Sequence, residues 1–392
     1  MRIAIVADGA YPFFKGGAET RYHSLAQHLV RRGHHVDWYT MKYWTGDRVL
    51  ERDGIRYVAI CRPWSMYTKS GRRSIREAVL FGAACLRLLA RRERYDVVDC
   101  SQYPFFSVLA MWLVARRWRL PLVVSWYETW GDHWSEYLGG WGFIGRWIER
   151  ACARLPRCLI VVSEQALARL QTEGLKAREA YYVPLGIECD AIQRLSAASD
   201  RVDVIYFGRL KNHKNVDVLL RALALVRQVR PEVRALVVGD GPEANKLRRL
   251  AHELSLEDTV DFRGAVDSTD ELLGLVKAAR VFVQPSTKEG GGSIVTLEAN
   301  ACGTPVIAVD HPLGIDRSLI QEGVNGFWVS PLTPDRLADR ILQALADPRI
   351  ENEWRRSSIE RSRAFDLTLI VGRIEALYLA AQLGFRSSAA QR

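Results

Sequence analysis

Glu289 and Glu298 bracket the most chemically loaded stretch of the chain, Lys288-Glu289-Gly290-Gly291-Gly292-Ser293-Ile294-Val295-Thr296-Leu297-Glu298. The apolar run Val281-Phe282-Val283-Gln284-Pro285 before it predicts a strand. The run from Ile294 to Asn300 predicts a helix, with Ser293 as its N-cap. Gly290, Gly291 and Gly292 allow a tight turn and a close backbone approach to a ligand. Unbonded N–H groups at the start of such a helix, at Ile294 and Val295, favour an anion. The two carboxylates repel phosphate but accept protons from hydroxyl groups. The expected ligand therefore combines phosphate with a polyol, as a phosphorylated sugar does.

Cations are available to neutralise such a phosphate. Tyr206-Phe207-Gly208-Arg209 predicts a strand end, and Lys214 follows five residues later, just before a helix. Open α/β sheets bind ligands at the carboxyl ends of their strands, so Arg209 and Lys214 are expected to clamp a diphosphate. Lys211 and His213 are expected to face solvent. In the first half of the chain, Gly16 and Gly17 offer a similar backbone approach to phosphate. Neither glycine pair belongs to a Gly-x-Gly-x-x-Gly fingerprint or a Gly-x-x-x-x-Gly-Lys-Ser/Thr loop, which disfavours a dinucleotide-dependent dehydrogenase and a P-loop NTPase. No His, Cys or carboxylate grouping has metal-ligand spacing, so metal-independent chemistry without a cofactor is expected.

Positioning these groups calls for two domains of parallel α/β structure. The 392 residues suffice for two cores, and strand-like and helix-like segments alternate almost throughout. The sequence predicts a first domain over 1–190, a small polar linker over 191–202, a second domain over 203–365 and a final helix from 366, with 386–392 as a frayed tail. Helices are expected over 21–32, 74–92 and 104–117 in the first domain. The seven cysteines show no Cys-x-x-Cys pair and suit a reduced, cytoplasmic protein. The amino terminus does not resemble a secretory signal, and no apolar run reaches the length of a membrane span.

Charge is unevenly distributed. Residues 1–150 hold 23 Lys and Arg against 14 Asp and Glu, a net of +9, and ten of the twelve tryptophans. Such a half suits an anionic partner, which could be membrane lipid, nucleic acid or a phosphorylated acceptor, and of these nucleic acid is not the expected one. Arg72-Arg73, Arg91-Arg92, Arg116-Arg117 and Trp118-Arg119 are the candidate contacts with the inner face of a membrane.

Four motifs resemble the retaining glycosyltransferases of family 4: Gly-Gly-Ala-Glu at 16–19, Gly-Arg-Leu-x-x-x-Lys-Asn-Val-Asp at 208–217, Val-Val-Gly-Asp-Gly-Pro at 237–242 and Leu-Glu-Ala-Asn-Ala-Cys-Gly-Thr-Pro-Val-Ile at 297–307. The resemblance implies a GT-B fold, in which two Rossmann-like domains with parallel sheets face a central cleft and the last helix crosses back to the first domain. It implies transfer of a hexosyl unit from a nucleotide-diphosphate sugar, with retention, to a glycan, lipid-linked or small-molecule acceptor, as in polysaccharide biosynthesis. Arg209 and Lys214 match the diphosphate pair, Glu298 the carboxylate on the donor ribose, and Glu289 the one facing the donor sugar. The loop from Arg263 to Val266 matches the one that meets the nucleobase.

Two departures stand out. Eight residues separate Glu289 from Glu298 where the family usually has seven. Two histidines common in the first domain are replaced by Tyr127-Glu128 and by Asp99-Cys100-Ser101-Gln102, leaving Asp99, Glu128 and His133 as acceptor-side candidates. In the mechanism inferred for the family, the leaving phosphate itself takes the acceptor proton. A GT-B epimerase or phosphorylase is the alternative enzyme, and a basic membrane- or nucleic-acid-binding module without turnover is the alternative of another class.

Overall fold

The computed structural model describes residues 1–390, apart from 15, 67, 69–72, 92 and 93, with backbone alone for 386–390. It divides into two compact units, Met1–Leu185 with Leu367–Arg392, and Gly186–Asp366.

The first unit is built on strands β1 (Arg2–Val6), β2 (His35–Met41), β3 (Val49–Arg52), β4 (Ile55–Cys61), β5 (Val97–Ser101), β6 (Leu122–Trp126), β7 (Cys158–Val161) and β8 (Ala180–Tyr182). Their order is β3-β4-β2-β1-β5-β6-β7-β8. Every pairing is parallel except the edge hairpin β3–β4. That hairpin was not expected from the sequence, although Asp53-Gly54 marks it. Both residues have positive φ, 55° and 76°, the backbone of a two-residue turn that matches strand twist. The central strands are apolar on both faces and buried, as parallel strands covered by helices must be.

Several helices differ in extent from expectation. The first runs Gly17–Arg31, beginning four residues earlier than expected. The predicted 74–92 helix is Ile75–Leu86 followed by a 3-10 turn, Arg87–Ala90, and the next helix is Phe105–Trp118. The last helix, Leu367–Ala390, continues through five residues expected to fray, because Arg386-Ser387-Ser388-Ala389-Ala390 contains no helix breaker. Among the described residues Leu367–Phe385 is the one helix long and apolar enough to span a membrane. Its Ile370, Ile374, Tyr378 and Ala381 stripe instead lies in the core of the first unit, and Glu375 pairs with Arg32 and His34, both at 2.7 Å.

The second unit contains β9 (Val202–Phe207), β10 (Ala235–Val238), β11 (Val260–Gly264), β12 (Ala279–Gln284), β13 (Val306–Val309) and β14 (Gly326–Val329), ordered β11-β10-β9-β12-β13-β14. All pairings are parallel. The order reverses between β9 and β12, and in open α/β sheets such a reversal, at the carboxyl ends of the strands, is where ligands bind.

Candidate active site

Arg209 and Lys214 leave β9, while Glu289 leaves β12, so the switch point brings them to one place. Lys214 Nζ lies 2.5 Å from Glu289 Oε1, which also accepts from Gln284 Nε2 at 3.1 Å. The two loops are stitched together by backbone and side chain. Ser286 Oγ and the Thr287 N–H donate to the carbonyl of His213, at 3.1 and 3.3 Å. Asn215, in the left-handed region at φ 51°, donates from Nδ2 to Pro285 O at 3.0 Å and Thr287 Oγ1 at 3.2 Å. Sequence reasoning missed Asn215, though it sits within the Lys-Asn-Val-Asp motif.

Arg209 is exposed, its carbonyl held by the Tyr206 hydroxyl at 3.1 Å. Lys211 and His213, expected to face solvent, are half-buried. Burial lowers the pKa of each. The neighbouring Arg209 and Lys214 lower that of Lys211 further, and Lys214 does the same for His213. The crowding of cations follows from a loop that turns back across the end of β9. Such a concentration of positive charge is relieved by an anion.

Gly208 and Gly239 keep this end of the sheet narrow. A Cβ on Gly239, whose φ is 138°, would lie 1.9 Å from the carbonyl oxygen of Gly208. Arg263 is exposed and reaches Asp261 at 3.3 Å, while Val266 is half-buried in the loop after β11.

The glycine loop corrects one expectation. The N–H groups of Glu289 and Gly290 donate to Leu313 O, and that of Gly291 to Gly314 O, at 2.7, 3.1 and 2.8 Å. These three donors are therefore spent within the unit and cannot meet an anion. Gly290 and Gly291 have φ of 66° and 91°, which lets 289–291 run beside 313–315. The eight-residue spacing between the glutamates is accommodated there. Donors for an anion begin further along, at Gly292, Ile294 and Val295. Ser293 caps the helix Ile294–Ala301 and accepts from the Thr296 N–H, leaving the first helical N–H groups outward-facing.

Glu298 follows one turn later. Its carboxyl has no side-chain partner among the described residues, and burial alone pushes its pKa up to about 7. The residue retains partial exposure, so the carboxyl is dry yet reachable, a state that hydroxyl donors would relieve. Behind the helix, Asn300 Nδ2 donates to Leu319 O at 3.0 Å and Asn325 Nδ2 to Asn300 Oδ1 at 3.1 Å, fixing its position.

The first unit holds the remaining candidates, each with partners of its own. Asp99 is fully buried. It accepts from Tyr22 Oη at 2.8 Å, from Ser125 Oγ at 3.1 Å and from Tyr378 Oη at 2.5 Å. Burial raises its pKa, and the nearby Arg21 guanidinium opposes that rise. This makes it an interior anchor that ties the last helix to the sheet, rather than a group that can meet an acceptor. Glu128 is half-buried, in a loop whose N–H groups at Tyr127 and Glu128 donate to Gln102 Oε1 at 2.8 and 3.1 Å. His133 Nδ1 lies 2.6 Å from Glu136 and its ring meets the edge of Trp130 at 5.0 Å.

Gly16 precedes the helix Gly17–Arg31, and a Cβ there would lie 2.2 Å from Glu19 Oε2, whereas Gly17 faces open space. Glu19, the last residue of the Gly-Gly-Ala-Glu motif, is buried, and desolvation pushes its carboxyl up to about 7.

Comparison with known proteins adds an independent line. The family described as "Glycosyl transferases group 1" matches residues 190–363, and "Glycosyltransferase Family 4" matches 15–191. A D-inositol 3-phosphate glycosyltransferase of Thermobispora bispora is 30% identical over 315 residues, covering 74% of this chain and 71% of that one. An uncharacterised glycosyltransferase of Methanocaldococcus jannaschii is 27% identical over 372 residues, covering 88% and 90%. Among solved structures, Anabaena HepE in complex with UDP superposes with a TM-score of 0.75 at 20% identity, covering 97% of this chain and all of that one (100%).

Proposed function

Because the chain belongs to the group 1, family 4 glycosyltransferases of GT-B fold, we propose that it moves a hexosyl unit from a nucleotide-diphosphate sugar to an acceptor hydroxyl with retention of configuration. The observation that carries this reading is the Lys214–Glu289 contact, 2.5 Å from Nζ to Oε1, between the connections that leave β9 and β12, with Arg209 at the end of β9 and Glu298 on the helix that follows β12. Arg209 and Lys214 hold the diphosphate and neutralise the charge it gains as the anomeric C–O bond breaks. The acceptor oxygen forms the new bond, and its proton passes to the leaving diphosphate. Glu298 accepts protons from the donor ribose hydroxyls. Glu289, already fixed by Lys214 and Gln284, faces the sugar. Two side-chain cations supply the charge that a metal ion would otherwise bring, so turnover persists in EDTA.

The UDP in the solved relative supports a nucleotide donor, and the inositol phosphate named for the bacterial relative suits a phosphate-bearing acceptor. A panel of UDP-, GDP- and ADP-sugars tested by thermal shift should give one donor that raises the midpoint, and that donor should transfer label to an acceptor extract in EDTA. A chain that none of them stabilises contradicts the reading. An epimerase, by contrast, would convert the donor with no acceptor present.

Contact with an anionic membrane, at the cytoplasmic face, is the second element of this proposal. The arginine pairs named from the sequence support it unevenly. Arg72 and Arg92 lie outside the described residues. Arg73 turns inward to Asp8 and Glu77. Trp118 packs beside Tyr39 and Tyr95 and donates to Arg91 O at 2.8 Å. Arg116, Arg117 and Arg119 remain exposed. A stronger surface lies elsewhere in the same unit. Trp141, Phe143 and Trp147 are 67%, 58% and 68% exposed, beyond what isolated surface apolar residues explain. On the helix Gly142–Arg154, Phe143, Trp147, Arg150 and Arg154 follow one stripe, an aromatic and basic face suited to lipid headgroups. The triple variant W141A/F143A/W147A should lose flotation with phosphatidylglycerol vesicles. Equal flotation of variant and native chain rejects this surface.

A further inference from the structure

The first unit holds a cavity of about 550 Å³ lined by Lys42, Arg48, Cys61, Arg62, Trp64 and Arg87, together with the small apolar residues of β4. Among the described residues no carboxylate lines it. Its walls are the end of β2, the unexpected β3–β4 hairpin and the 3-10 turn that begins at Arg87. Backbone bonds hold them in register. Lys42 N–H donates to Cys61 O at 2.9 Å, and Ala59 N–H to Arg48 O at 2.8 Å. Among the described residues, none of Arg48, Arg62 and Arg87 has a carboxylate partner. Lys42 Nζ donates to the carbonyl of Gly46, and the Arg62 guanidinium lies over the Trp64 ring at 6.0 Å.

Four cations around one concavity repel each other, whereas Arg56 and Arg157 of the same unit have carboxylate partners, Asp37 and Glu179. An arrangement that concentrates like charge without internal compensation is one an external anion completes. The planar forks of three arginines match the oxygens of a phosphate. Trp64 and Ile60 offer an apolar wall to whatever the phosphate is esterified with.

We infer that this cavity is an anion site that binds a phosphate ester through Arg48, Arg62 and Arg87. It lies in the other unit from Arg209 and Lys214 and is assigned independently of the transfer reaction. The same chemistry is presented by a soluble phosphate ester and by a phospholipid headgroup.

Cys61 provides a local reporter. It lines the cavity, and it is the one half-buried cysteine, the other six being buried. Burial pushes its thiol up to about 12 while Arg87 pulls it down, so alkylation is slow and a bound anion shields it further. The full-length chain carrying R209A/K214A, so that the second unit cannot contribute, is treated with iodoacetamide at constant ionic strength. Inorganic phosphate, glycerol 3-phosphate and vesicles of phosphatidylcholine with phosphatidylglycerol are the probes, and Cys61 labelling is read by peptide mass.

Saturable protection is expected. In R62Q/R87Q the concentration needed for protection should rise about tenfold or more, each labelling rate being compared with the same variant's rate without anion. Protection by glycerol 3-phosphate assigns a soluble ester, and protection by vesicles alone assigns a headgroup. Both outcomes support the site. Absence of protection by every probe, or unchanged protection in R62Q/R87Q, overturns it. Neither result depends on whether the enzyme turns over.

Discussion

Replacing Arg209 and Lys214 together by alanine is expected to lower transfer by about four orders of magnitude, since loss of one donor that stabilises developing negative charge typically costs about 10²–10³ in rate. The two cations act on the same leaving diphosphate, so their effects are not independent, and each single variant should account for most of the loss. The fold should survive. Arg209 is exposed and anchored through its carbonyl, which alanine retains. Among the described residues Lys214 makes one ion pair, with Glu289, and Glu289 keeps Gln284 as a donor. An unchanged unfolding midpoint alongside lost turnover is therefore the expected pair of results. Turnover within tenfold of the native rate would remove the diphosphate role from these residues.

The second large effect concerns Glu298. Its carboxyl titrates near pH 7 because burial disfavours the charge. Ribose hydroxyls donate to the ionised form, so donor affinity should rise as pH increases through about 7 and level off above it. The sign for stability is opposite. The folded-state pKa lies above the ordinary glutamate value of 4.5, so the contribution to stability is complete below about 4.5 and is lost as pH rises through 7. Bound donor offsets that loss. In E298Q the pH dependence of nucleoside diphosphate affinity attributable to this group should vanish, leaving only the titration of the ligand's own phosphate. In E298A the Kd should rise roughly 10- to 100-fold, the range for hydrogen bonds to a charged acceptor, with KM affected more than kcat. Identical pH profiles for native and E298Q chains, measured by calorimetry, would count against the assignment.

Much of the second unit was legible because its signals are local. The Gly-Arg and Lys-Asn-Val-Asp residues mark a strand end and a helix start, and Ser293 marks a cap. The strand–helix alternation gives the parallel sheet, whose switch point brings the loops together. What was not legible depends on distant partners. The N–H groups of 289–291 bond to 313–314, more than twenty residues away, and no local pattern announces that. Asp99 reads as an available carboxylate beside a strand end. It is enclosed by Tyr22, Ser125 and Tyr378, the last from the far end of the chain. Arg73 likewise reads as a surface cation but is drawn inward by Asp8. The β3–β4 hairpin was missed despite its Asp53-Gly54 turn, because its strands carry the charged residues Glu51, Arg52 and Arg56 of a sheet edge. With it went the cavity that the hairpin helps to wall.

The aromatic content of the first unit has two fates. Trp38 and Trp126 are fully buried and fill the core, whereas Trp141 and Trp147 project from it. Composition alone could not separate them, since both sets belong to the same basic half of the chain.

Amide hydrogen exchange, with and without a saturating nucleoside diphosphate, tests most directly where the donor binds. Protection should appear in 208–215, 286–300 and the loop at 263–266, and should be absent from those segments in the R209A/K214A chain. Protection confined to the first unit, or unchanged in that double variant, would contradict a donor site at the β9–β12 switch point.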